Sequence, residues 1–428
     1  MTARGLLLAA PTSGAGKTTL TLGILRALVD AGVSIRAAKS GPDYIDPAFH
    51  AAASRAPCGN LDAWAMSPEM LKAQATQHDN ELLVVEGAMG LFDGAPPAGK
   101  GASADLARVL GLPVILIVDA SKMAQSVAPL VAGFASYDAE VKIKGVLLNK
   151  VGSPRHEDML RNALAPLNIP VLGALPRHTD LARPSRHLGL VQAGEHIDLE
   201  EFLSTAAAHM RSHVDLEALK NLAAPLPASG PLQQSRLTPP VQSIAVAQDA
   251  AFAFCYPHLL SEWRAAGKDI RFFSPLADDP VPESDLIYLP GGYPELHAAT
   301  LFNATAFKLS MQAAAQRGTL IYGECGGYMA LGETLIDADG VAHEMLGLLP
   351  LVTSFETRKL HLGYRDVEAN SGPFTGAFKA HEFHYATTLK AEGTPLFDAK
   401  DAAGNALPAM GLINGNVSGS FAHLIAAP

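Results

Sequence analysis

The sequence predicts an α/β protein whose first half is a doubly wound parallel sheet and whose second half is another α/β unit. Short apolar runs recur along the first half and are separated by amphipathic segments of helical length. The runs lack strict apolar–polar alternation, which indicates strands that are buried on both faces of a parallel sheet. A glycine-rich segment directly follows the first run.

The elements of the first half follow one another in the order that this fold requires. The predicted strands are Leu6 to Ala10, Ser34 to Ala38, Leu82 to Val85, Val114 to Val118, Val146 to Leu148 and Val171 to Leu175. Between them, Thr18 to Ala31 and Ser67 to Gln77 are amphipathic and predict helices. The second helix opens with Ser67 as its N-cap and Pro68 in its first turn, as helix starts commonly do. We expect one domain over residues 1–215.

A segment without regular periodicity separates the two halves. Residues 216–241 are rich in Pro, Ser and Gln and show neither a helical nor an alternating apolar period, so we predict a linker there. Strand candidates resume beyond it at Ser243 to Ala247, Ile270 to Phe273, Leu286 to Leu289 and Thr319 to Tyr322. The second domain, residues 242–428, is therefore also predicted to be α/β, with a more irregular last third.

Composition excludes several classes of protein. The chain has 428 residues, 48% hydrophobic and 17% charged, which suits two globular domains rather than disorder. Its net charge is −10 without a basic cluster, so a nucleic-acid partner is not expected. Cys58, Cys255 and Cys325 are odd in number and widely spaced, which fits a reducing cytoplasm. No apolar run approaches membrane-spanning length, and we expect neither export nor a membrane anchor.

The segment from Pro11 to Thr18 reads P-T-S-G-A-G-K-T and differs from the standard phosphate-binding loop by Pro in place of the first Gly. Its glycines let successive N–H groups turn toward an anion, Lys17 reaches the outer phosphates, and the Thr18 hydroxyl can bind Mg²⁺. The alternative is an ordinary glycine turn, but the flanking strand and helix favour ATP binding. The predicted nucleotide contacts are Thr12, Ser13, Gly14, Ala15, Gly16, Lys17, Thr18 and Thr19.

Charged residues follow the next two strands. Lys39 ends the second strand and is a further predicted nucleotide contact, and Asp43 and Asp46 follow it; Glu86 and Asp93 follow the third. The carboxyl ends of parallel strands meet in one crevice, where such sheets bind ligands. Mg²⁺ takes only one or two carboxylates beside phosphates, so Asp43 and Glu86, with the loop threonine, are the predicted metal ligands. The alternative is that these acids cap helices or lie in solvent.

An amide follows a later strand. Asn149 ends a strand in GVLLNKVGS and could read a base edge with one donor and one acceptor. A structural turn explains this residue nearly as well. Asn149 is therefore a predicted nucleotide contact with an open alternative.

The second half carries a cysteine in G-E-C-G-G, Gly323 to Gly327. Small flanking residues allow a sharp strand-to-helix turn that exposes the central side chain, so Cys325 is a predicted nucleophile. The N-terminus of the following helix is expected to favour the thiolate. Backbone N–H groups of Gly326 and of Gly291 and Gly292 could form an oxyanion hole. The alternative is a small, inert buried residue.

Three histidines could serve the cysteine as a general base: His381, His384 and His423. The first two lie in H-E-F-H, which lacks the spacing of the H-E-x-x-H zinc motif, so we expect no metal there. The residues alone leave the choice among the three open.

Several segments resemble a known family. GPDYIDPAFH, NLDAW and VVEGAMGLFDG look like the N-terminal domain of the a,c-diamide synthases of cobalamin biosynthesis, relatives of dethiobiotin synthetase, and the resemblance covers essentially the whole chain. The family has the same Pro at the start of its phosphate loop. It joins a dethiobiotin synthetase-like domain to a class I glutamine amidotransferase domain with its nucleophile in GECGG and its histidine in SFxHL. That implies Cys325 and His423, although Ile425 replaces the usual Glu of the triad.

The resemblance implies a reaction. ATP with Mg²⁺ would phosphorylate a side-chain carboxylate of cobyrinic or hydrogenobyrinic acid, and ammonia freed from glutamine at Cys325 would attack the acyl phosphate, at positions a and c in turn. Asp46 and Asp93 are the predicted catalytic residues of the first domain, with Tyr44 near the substrate. The family also implies a homodimer.

The substrate would be a polyanion and the protein is acidic, so its pocket must be locally basic. Lys39 is one candidate, and Arg183, Arg186 and His187 are others, although a solvated loop is the favoured interpretation of those three.

Two alternatives remain. A cobyric acid synthase would amidate other carboxylates of the ring, but it differs in the second-strand loop and lacks NLDAW. A partitioning-type ATPase switch would carry an extra lysine early in the loop, where this chain has Pro11 and Thr12.

Overall fold

The structure is a computed structural model that describes residues 3–77, 81–178, 181, 198–228 and 236–428. The chain divides into two compact units, Met1–Gln233 and Gln234–Pro428. The domain boundaries that the sequence predicts, at 215 and 242, stay a prediction.

The first unit alternates strands and helices along the chain. Its strands are β1 (Arg4–Ala9), β2 (Ile35–Ser40), β3 (Gly59–Leu61), β4 (Leu82–Glu86), β5 (Val114–Asp119), β6 (Ile143–Val151), β7 (Val171–Pro176) and β8 (Ala224–Pro225). Its helices are α1 (Lys17–Asp30), α2 (Asp46–Ser54), α3 (Pro68–Ala75), α4 (Ser103–Leu110), α5 (Val127–Tyr137), α6 (Pro154–Leu164), α7 (Leu199–His213) and α8 (Leu216–Leu222). A 3₁₀ turn follows α6 at Ala165–Leu167.

The sheet of this unit has the order β3-β2-β4-β1-β5-β6-β7, and all neighbours in that order are parallel. Strand β8 pairs antiparallel with the start of β1. Every residue of β4 is buried, as the run without alternation predicts, so the doubly wound parallel sheet is confirmed. This order brings the carboxyl ends of β1, β2 and β4 side by side, and Glu86 pairs in register with both Leu8 and Lys39.

Part of the segment that the sequence describes as aperiodic is helical. Helix α8 begins after Asp215, whose carboxylate accepts the N–H of Ala218 at 2.9 Å, and it buries Leu219 completely. One cap and one buried leucine stabilise so short a helix without producing an amphipathic pattern long enough to detect.

The second unit has a parallel sheet followed by many short strands. Its strands are β9 (Ser243–Ala247), β10 (Asp269–Phe273), β11 (Leu286–Leu289), β12 (Leu320–Glu324), β13 (Thr334–Ile336), β14 (Ala342–Glu344), β15 (Leu351–Ser354), β16 (His361–Ala369), β17 (Gly376–His384), β18 (Thr387–Ala391), β19 (Phe397–Asp401), β20 (Ala406–Met410), β21 (Leu412–Asn414), β22 (Val417–Ser420) and β23 (Ala422–Ala426). Its helices are α9 (Pro257–Ala265), α10 (Ala298–Asn303), α11 (Thr305–Gln316) and α12 (Gly326–Leu331), with 3₁₀ turns at Pro275–Ala277 and Pro294–Leu296.

Three sheets organise this unit. The first has the order β10-β9-β11-β12-β22-β21, parallel except for β21. The second is β14-β13-β15-β18, and the third is the antiparallel β20-β19-β16-β17-β23. The last third of this unit is thus regular β-structure rather than irregular. Some of its strands, such as β16, are largely half-exposed and polar and show no strong apolar pattern in the sequence, whereas β22 and β23 are buried at every residue.

In the part of the chain that the structure describes, every helix is too short or too polar to cross a lipid bilayer.

Candidate active sites

The glycine-rich loop lies between β1 and α1. Gly14 and Gly16 have φ of 79° and 89°, in the left-handed region that favours glycine, and a side-chain carbon at Gly16 would collide with Asn149. Gly16 is the N-cap of α1 and supplies no side-chain cap, so the first N–H groups of a 14-residue helix remain available to an anion. Thr12 and Ser13 are exposed beside them, Ala15 is buried, and Thr19 is half-buried.

Lys17 is buried at this loop and is held by the segment after β4. Its Nζ donates to the carbonyl of Met89 at 2.6 Å. Burial lowers the pKa of Lys17, although the charge of Glu86 opposes that shift. The loop after β4 therefore fixes the ammonium group at the predicted phosphate site.

Glu86 is the centre of a buried ionic cluster. Its Oε1 accepts hydrogen bonds from Oγ1 of Thr18 at 2.8 Å and from Nζ of Lys39 at 2.9 Å, and Oε2 lies 2.6 Å from Nε2 of His50. Burial opposes ionisation, but Lys39 and His50 hold the pKa of Glu86 below its usual value. Direct contact between a hydroxyl and a carboxylate, both hard oxygen ligands, is a donor set that suits Mg²⁺.

The sequence analysis missed His50. It is completely buried in α2, and burial is outweighed by Glu86 and Cys58, so its pKa is raised to about 10. A single histidine on an otherwise apolar helix face does not indicate from the sequence which residue it contacts. Its partner belongs to a strand 36 residues away and is found only from the structure.

Asp43 lies in the loop between β2 and α2, and Asp46 is the first residue of α2. The Asp43 carboxylate accepts the N–H groups of Ile45 and Asp46, both at 2.8 Å, so it organises its own loop. Its charge also acts on Lys39 and Asp46, which places it at the edge of the ionic cluster. Asp46 pairs with Nζ of Lys39 at 2.7 Å, and burial raises its pKa. Tyr44 is half-buried between the two acids.

The NLDAW segment anchors this loop from the neighbouring strand. Nδ2 of the buried Asn60 donates to the carbonyls of Gly41 at 2.9 Å and Asp43 at 2.7 Å. Asp62 is fully buried and accepts the N–H groups of Trp64 at 2.9 Å and Ala65 at 3.1 Å. Two of the three segments that carry the family resemblance, GPDYIDPAFH and NLDAW, are thus one structural unit.

Asp93 belongs to the loop after β4, which lies against the phosphate loop. Its Oδ2 accepts the N–H of Gly90 at 3.0 Å, and a side-chain carbon at Gly90 would lie 2.6 Å from the carbonyl oxygen of Pro11. The charge of Asp93 acts on Lys17. The structure therefore brings Asp93 to the same crevice as Lys17.

Both the nitrogen and the oxygen of the Asn149 side-chain amide form hydrogen bonds with backbone groups. Nδ2 donates to the carbonyl of Ala15 at 2.8 Å, and Oδ1 accepts the N–H of Lys150 at 2.9 Å. This arrangement matches the structural-turn alternative, and base recognition stays a prediction. Lys150, which the sequence analysis did not select, donates to Asp119 at 2.7 Å and to the carbonyl of Gly14 at 3.2 Å. The predicted basic residues Arg183, Arg186 and His187 lie outside the described residues.

Cys325 occupies the sharp turn between β12 and α12. Its φ is 46° and its ψ is −101°, an uncommon backbone conformation for a residue other than glycine. A side-chain carbon at Gly323 would lie 2.7 Å from the backbone of Gly327, and one at Gly327 would collide with the carbonyl of Leu289. The flanking glycines are thus required by close backbone approach, as the motif predicts.

The structure indicates a neutral thiol at Cys325 rather than a thiolate. Burial raises the pKa of Cys325, the Glu295 carboxylate raises it further, and the N–H of Gly326 opposes them. The start of the helix does favour the thiolate through the N–H of Gly326, but burial outweighs the effect of one short helix of 6 residues. The thiol therefore needs a base to remove its proton.

The predicted oxyanion donors meet at this turn. A side-chain carbon at Gly326 would lie 2.9 Å from the backbone nitrogen of Gly292 and 2.9 Å from Cδ of Pro294. The turn from Gly291 to Pro294 therefore lies directly against the elbow. The structure brings Gly292 and Gly326 together, as an oxyanion hole requires.

His423 lies beside Cys325. A side-chain carbon at Gly291 would lie 3.0 Å from Nε2 of His423 and 3.3 Å from Cβ of Cys325, so one glycine borders both groups. Burial and the neighbouring His381 and His384 lower the pKa of His423 to about 3. A neutral imidazole at resting pH is the form that accepts a proton from the thiol.

The other two candidate histidines lie on β17. His381 pairs with His423 across the strands β17 and β23, and burial lowers its pKa to about 4. His384 stacks on Phe421, with ring centroids 3.8 Å apart, and its Nε2 lies 3.0 Å from Glu382. These positions surround the elbow without bordering Gly291 as His423 does.

A metal was not expected at the H-E-F-H segment, yet potential ligands meet there. One ligand atom each from His361, Glu382 and His384 lies within 4.8 Å of the others. Glu382 is already paired with Arg365 at 2.7 Å and with His384, so its carboxylate is engaged within the protein.

Glu324, which the sequence analysis did not select, lies behind His423. Its Oε2 is 3.6 Å from Nδ1 of His423, and burial raises its pKa to about 7. The signal in the sequence was a carboxylate at the end of an apolar strand, next to the cysteine.

Comparison with known proteins identifies the family. A model described as the CobQ/CobB/MinD/ParA nucleotide binding domain matches residues 6–191, and one described as the CobB/CobQ-like glutamine amidotransferase domain matches residues 243–428. The hydrogenobyrinate a,c-diamide synthase of Brucella anthropi is 56% identical over 99% of this chain and 98% of its own length. Those of Rhizobium meliloti and Rhodobacter capsulatus are 56% and 51% identical, over 98% and 99% of this chain and 99% of their own lengths. The chain belongs to the hydrogenobyrinate a,c-diamide synthase family.

Proposed function

We propose that this protein amidates the a and c side-chain carboxylates of hydrogenobyrinic acid, or of cobyrinic acid, with ATP and glutamine, in cobalamin biosynthesis. The observation that carries the proposal is the full-length similarity to synthases of that name, at 51–56% identity, in a chain that holds both required sites. It makes the protein a carbon–nitrogen ligase with glutamine as the nitrogen donor.

The first unit supplies the activation step. The ring carboxylate attacks the γ-phosphorus of ATP and ADP leaves, which gives an acyl phosphate that ammonia can attack. Lys17 and the N–H groups of the loop hold the phosphates, and Lys39 adds positive charge to an otherwise acidic crevice. Asp46 and Asp93 position the acid or the transferring phosphoryl group, and Tyr44, half-buried between Asp43 and Asp46, lies near the substrate.

Thr18 and Glu86, with Asp43 at the edge of their cluster, are the residues that would hold Mg²⁺. The ion, when bound, neutralises charge on the phosphate oxygens.

The second unit supplies ammonia. Cys325 attacks the side-chain amide of glutamine, His423 accepts the thiol proton, and Gly292 and Gly326 donate to the oxyanion. Ammonia then attacks the acyl phosphate and phosphate leaves, which leaves an amide on the ring.

The proposal also covers where the protein is located and its oligomeric state. Three free cysteines support the cytoplasm, and the family resemblance supports a homodimer. Light scattering of the purified protein measures the oligomeric state directly.

One assay tests the activity. Purified protein with ATP, Mg²⁺ and glutamine should convert hydrogenobyrinic acid or cobyrinic acid to a diamide and stop, as followed by mass spectrometry. Absence of turnover with both acids would contradict the proposal. Continued amidation beyond the diamide would instead favour a cobyric acid synthase.

A further inference from the structure

We propose that Glu324 positions His423 for glutamine hydrolysis, in place of the carboxylate that class I amidotransferases carry two residues after the histidine. A base that serves a thiol must present one ring nitrogen to it while a third group fixes the other nitrogen. Ile425 stands at the usual place of that third group, and its side chain is apolar. Its backbone carbonyl is bound by Nε2 of His258 at 2.8 Å.

The two ring nitrogens of His423 face the required partners. Nε2 borders Gly291 beside Cys325, and Nδ1 lies 3.6 Å from Oε2 of Glu324. The side chains of His423 and Glu324 are 1% and 2% exposed, so water does not compete for this contact. The distance is longer than a hydrogen bond while the imidazole is neutral, and such contacts commonly shorten in the reacting complex, when the imidazolium forms.

Glu324 is itself held in place by donors. Tyr288 donates its hydroxyl to Oε2 at 2.8 Å, and the N–H of Leu424 donates to Oε1 at 3.1 Å. Two donors favour the carboxylate over the neutral acid, which offsets part of the cost of burial. Leu424 directly follows His423 on β23, so its bond also ties the carboxylate to the strand that carries the base.

A second carboxylate whose charge acts on His423 is already engaged. Glu382 pairs with Arg365 at 2.7 Å and with His384 at 3.0 Å, and it lies on β17. Glu324 instead lies on β12, in register with Ser420, and reaches Nδ1 of His423.

The step then balances as follows. The Cys325 sulfur bonds to the amide carbon of glutamine while its proton passes to Nε2 of His423, and Glu324 stabilises the imidazolium. His423 returns the proton to the amide nitrogen, which leaves as ammonia and breaks the C–N bond. Water, with His423 as base, hydrolyses the thioester to glutamate and restores the thiol. The inference rests on the proposed function for the identity of glutamine as donor.

Three variants test this role: Glu324→Gln, Glu324→Asp and, as a control, Glu262→Gln at a carboxyl that is also 2% exposed, in α9. Glutamine hydrolysis to glutamate and ammonia-dependent amidation are measured for each. In Glu324→Gln, kcat for glutamine hydrolysis should fall about 10²-fold or more, because an amide favours the wrong imidazole tautomer. KM should change by less than about threefold, since Glu324 does not contact the substrate.

Glu324→Asp should recover at least about tenfold of the lost kcat, and ammonia-dependent amidation should persist in every variant. The inference is overturned if Glu324→Gln keeps kcat within about threefold of the wild type, or if Glu324→Asp recovers nothing. Failure of the wild type to amidate either acid with ammonia would refute the proposed function instead, and the hydrolysis data would still decide the role of Glu324.

Discussion

Each chemical step of this protein depends on a few buried polar side chains. Thr18, Lys39 and His50 all contact one carboxylate, Glu86, and an ionised group is tolerated inside a protein only with such partners. Cys325, in contrast to Glu86, is favoured in its neutral form, because burial and a nearby carboxylate raise the pKa of its thiol. The first site is therefore held together by ion pairs, whereas the second needs a base to remove the proton of a neutral thiol.

Replacement of Lys17 separates the two sites. In Lys17→Met, amidation should fall at least about 10²-fold with either glutamine or ammonia, because the phosphates lose a buried cationic partner. Hydrolysis of glutamine should continue, since the cysteine site lies in the other unit. Lys142→Met, at an exposed lysine, is the control. If Lys17→Met still forms amide at the wild-type rate, the loop does not bind the triphosphate.

Replacement of Cys325 should have the complementary effect. Cys325→Ala removes the nucleophile, so glutamine-dependent amidation and glutamine hydrolysis should fall below detection, while free ammonia should still support amidation. Cys255→Ala, a second free cysteine in the same unit, should keep both activities. Use of glutamine by Cys325→Ala would exclude this cysteine as the nucleophile.

At the level of elements, turns hold the reacting groups at contact distance. The turn that begins at Gly291 borders both His423 and Cys325, since a side-chain carbon there would lie 3.0 Å from Nε2 of His423 and 3.3 Å from Cβ of Cys325. Such a position admits no side chain. The geometry therefore depends on three elements at once: this turn, the elbow after β12, and β23.

A methyl group at Gly291 tests that dependence. In Gly291→Ala the new carbon would collide with Cε1 of His423, so glutamine hydrolysis should fall about 10²-fold with the fold intact, because small displacements of reacting groups have that effect. Ammonia-dependent amidation should be unchanged. Gly133→Ala, where an added carbon meets nothing within 4 Å, is the control. Full glutaminase activity in Gly291→Ala would show that His423 is not held at this turn.

The sequence predicts those elements whose signal is local. Buried parallel strands give unbroken apolar runs, and glycines at Gly14, Gly16 and the elbow mark turns that other residues cannot form. The roles of His50 and Glu324 depend instead on pairing between distant strands and helices. Helix α8 and the polar strands of the last third were missed because neither gives a long apolar period.

At the scale of the whole molecule, two units with different chemistry each supply one reactant for the same amide product. The first unit makes an electrophile and the second makes a nucleophile, and with glutamine as the nitrogen source both are needed to form an amide. A carboxylate cannot expel oxide, so a leaving group must come from ATP before nitrogen arrives. In the proposed site Lys17 reaches the outer phosphates, which favours transfer of the terminal phosphoryl group.

An isotope experiment decides the nature of that intermediate. With hydrogenobyrinic acid carrying ¹⁸O in its side-chain carboxylates, each amide formed should transfer one ¹⁸O atom to inorganic phosphate, because the carboxylate oxygen leaves with the γ-phosphorus. The products should be ADP and phosphate, equal in amount to the amides. An ammonia-driven reaction with Cys325→Ala should give the same label, which separates activation from glutamine chemistry. Appearance of AMP, with ¹⁸O in its phosphate, would show that the acid is activated by adenylation and would refute the acyl phosphate.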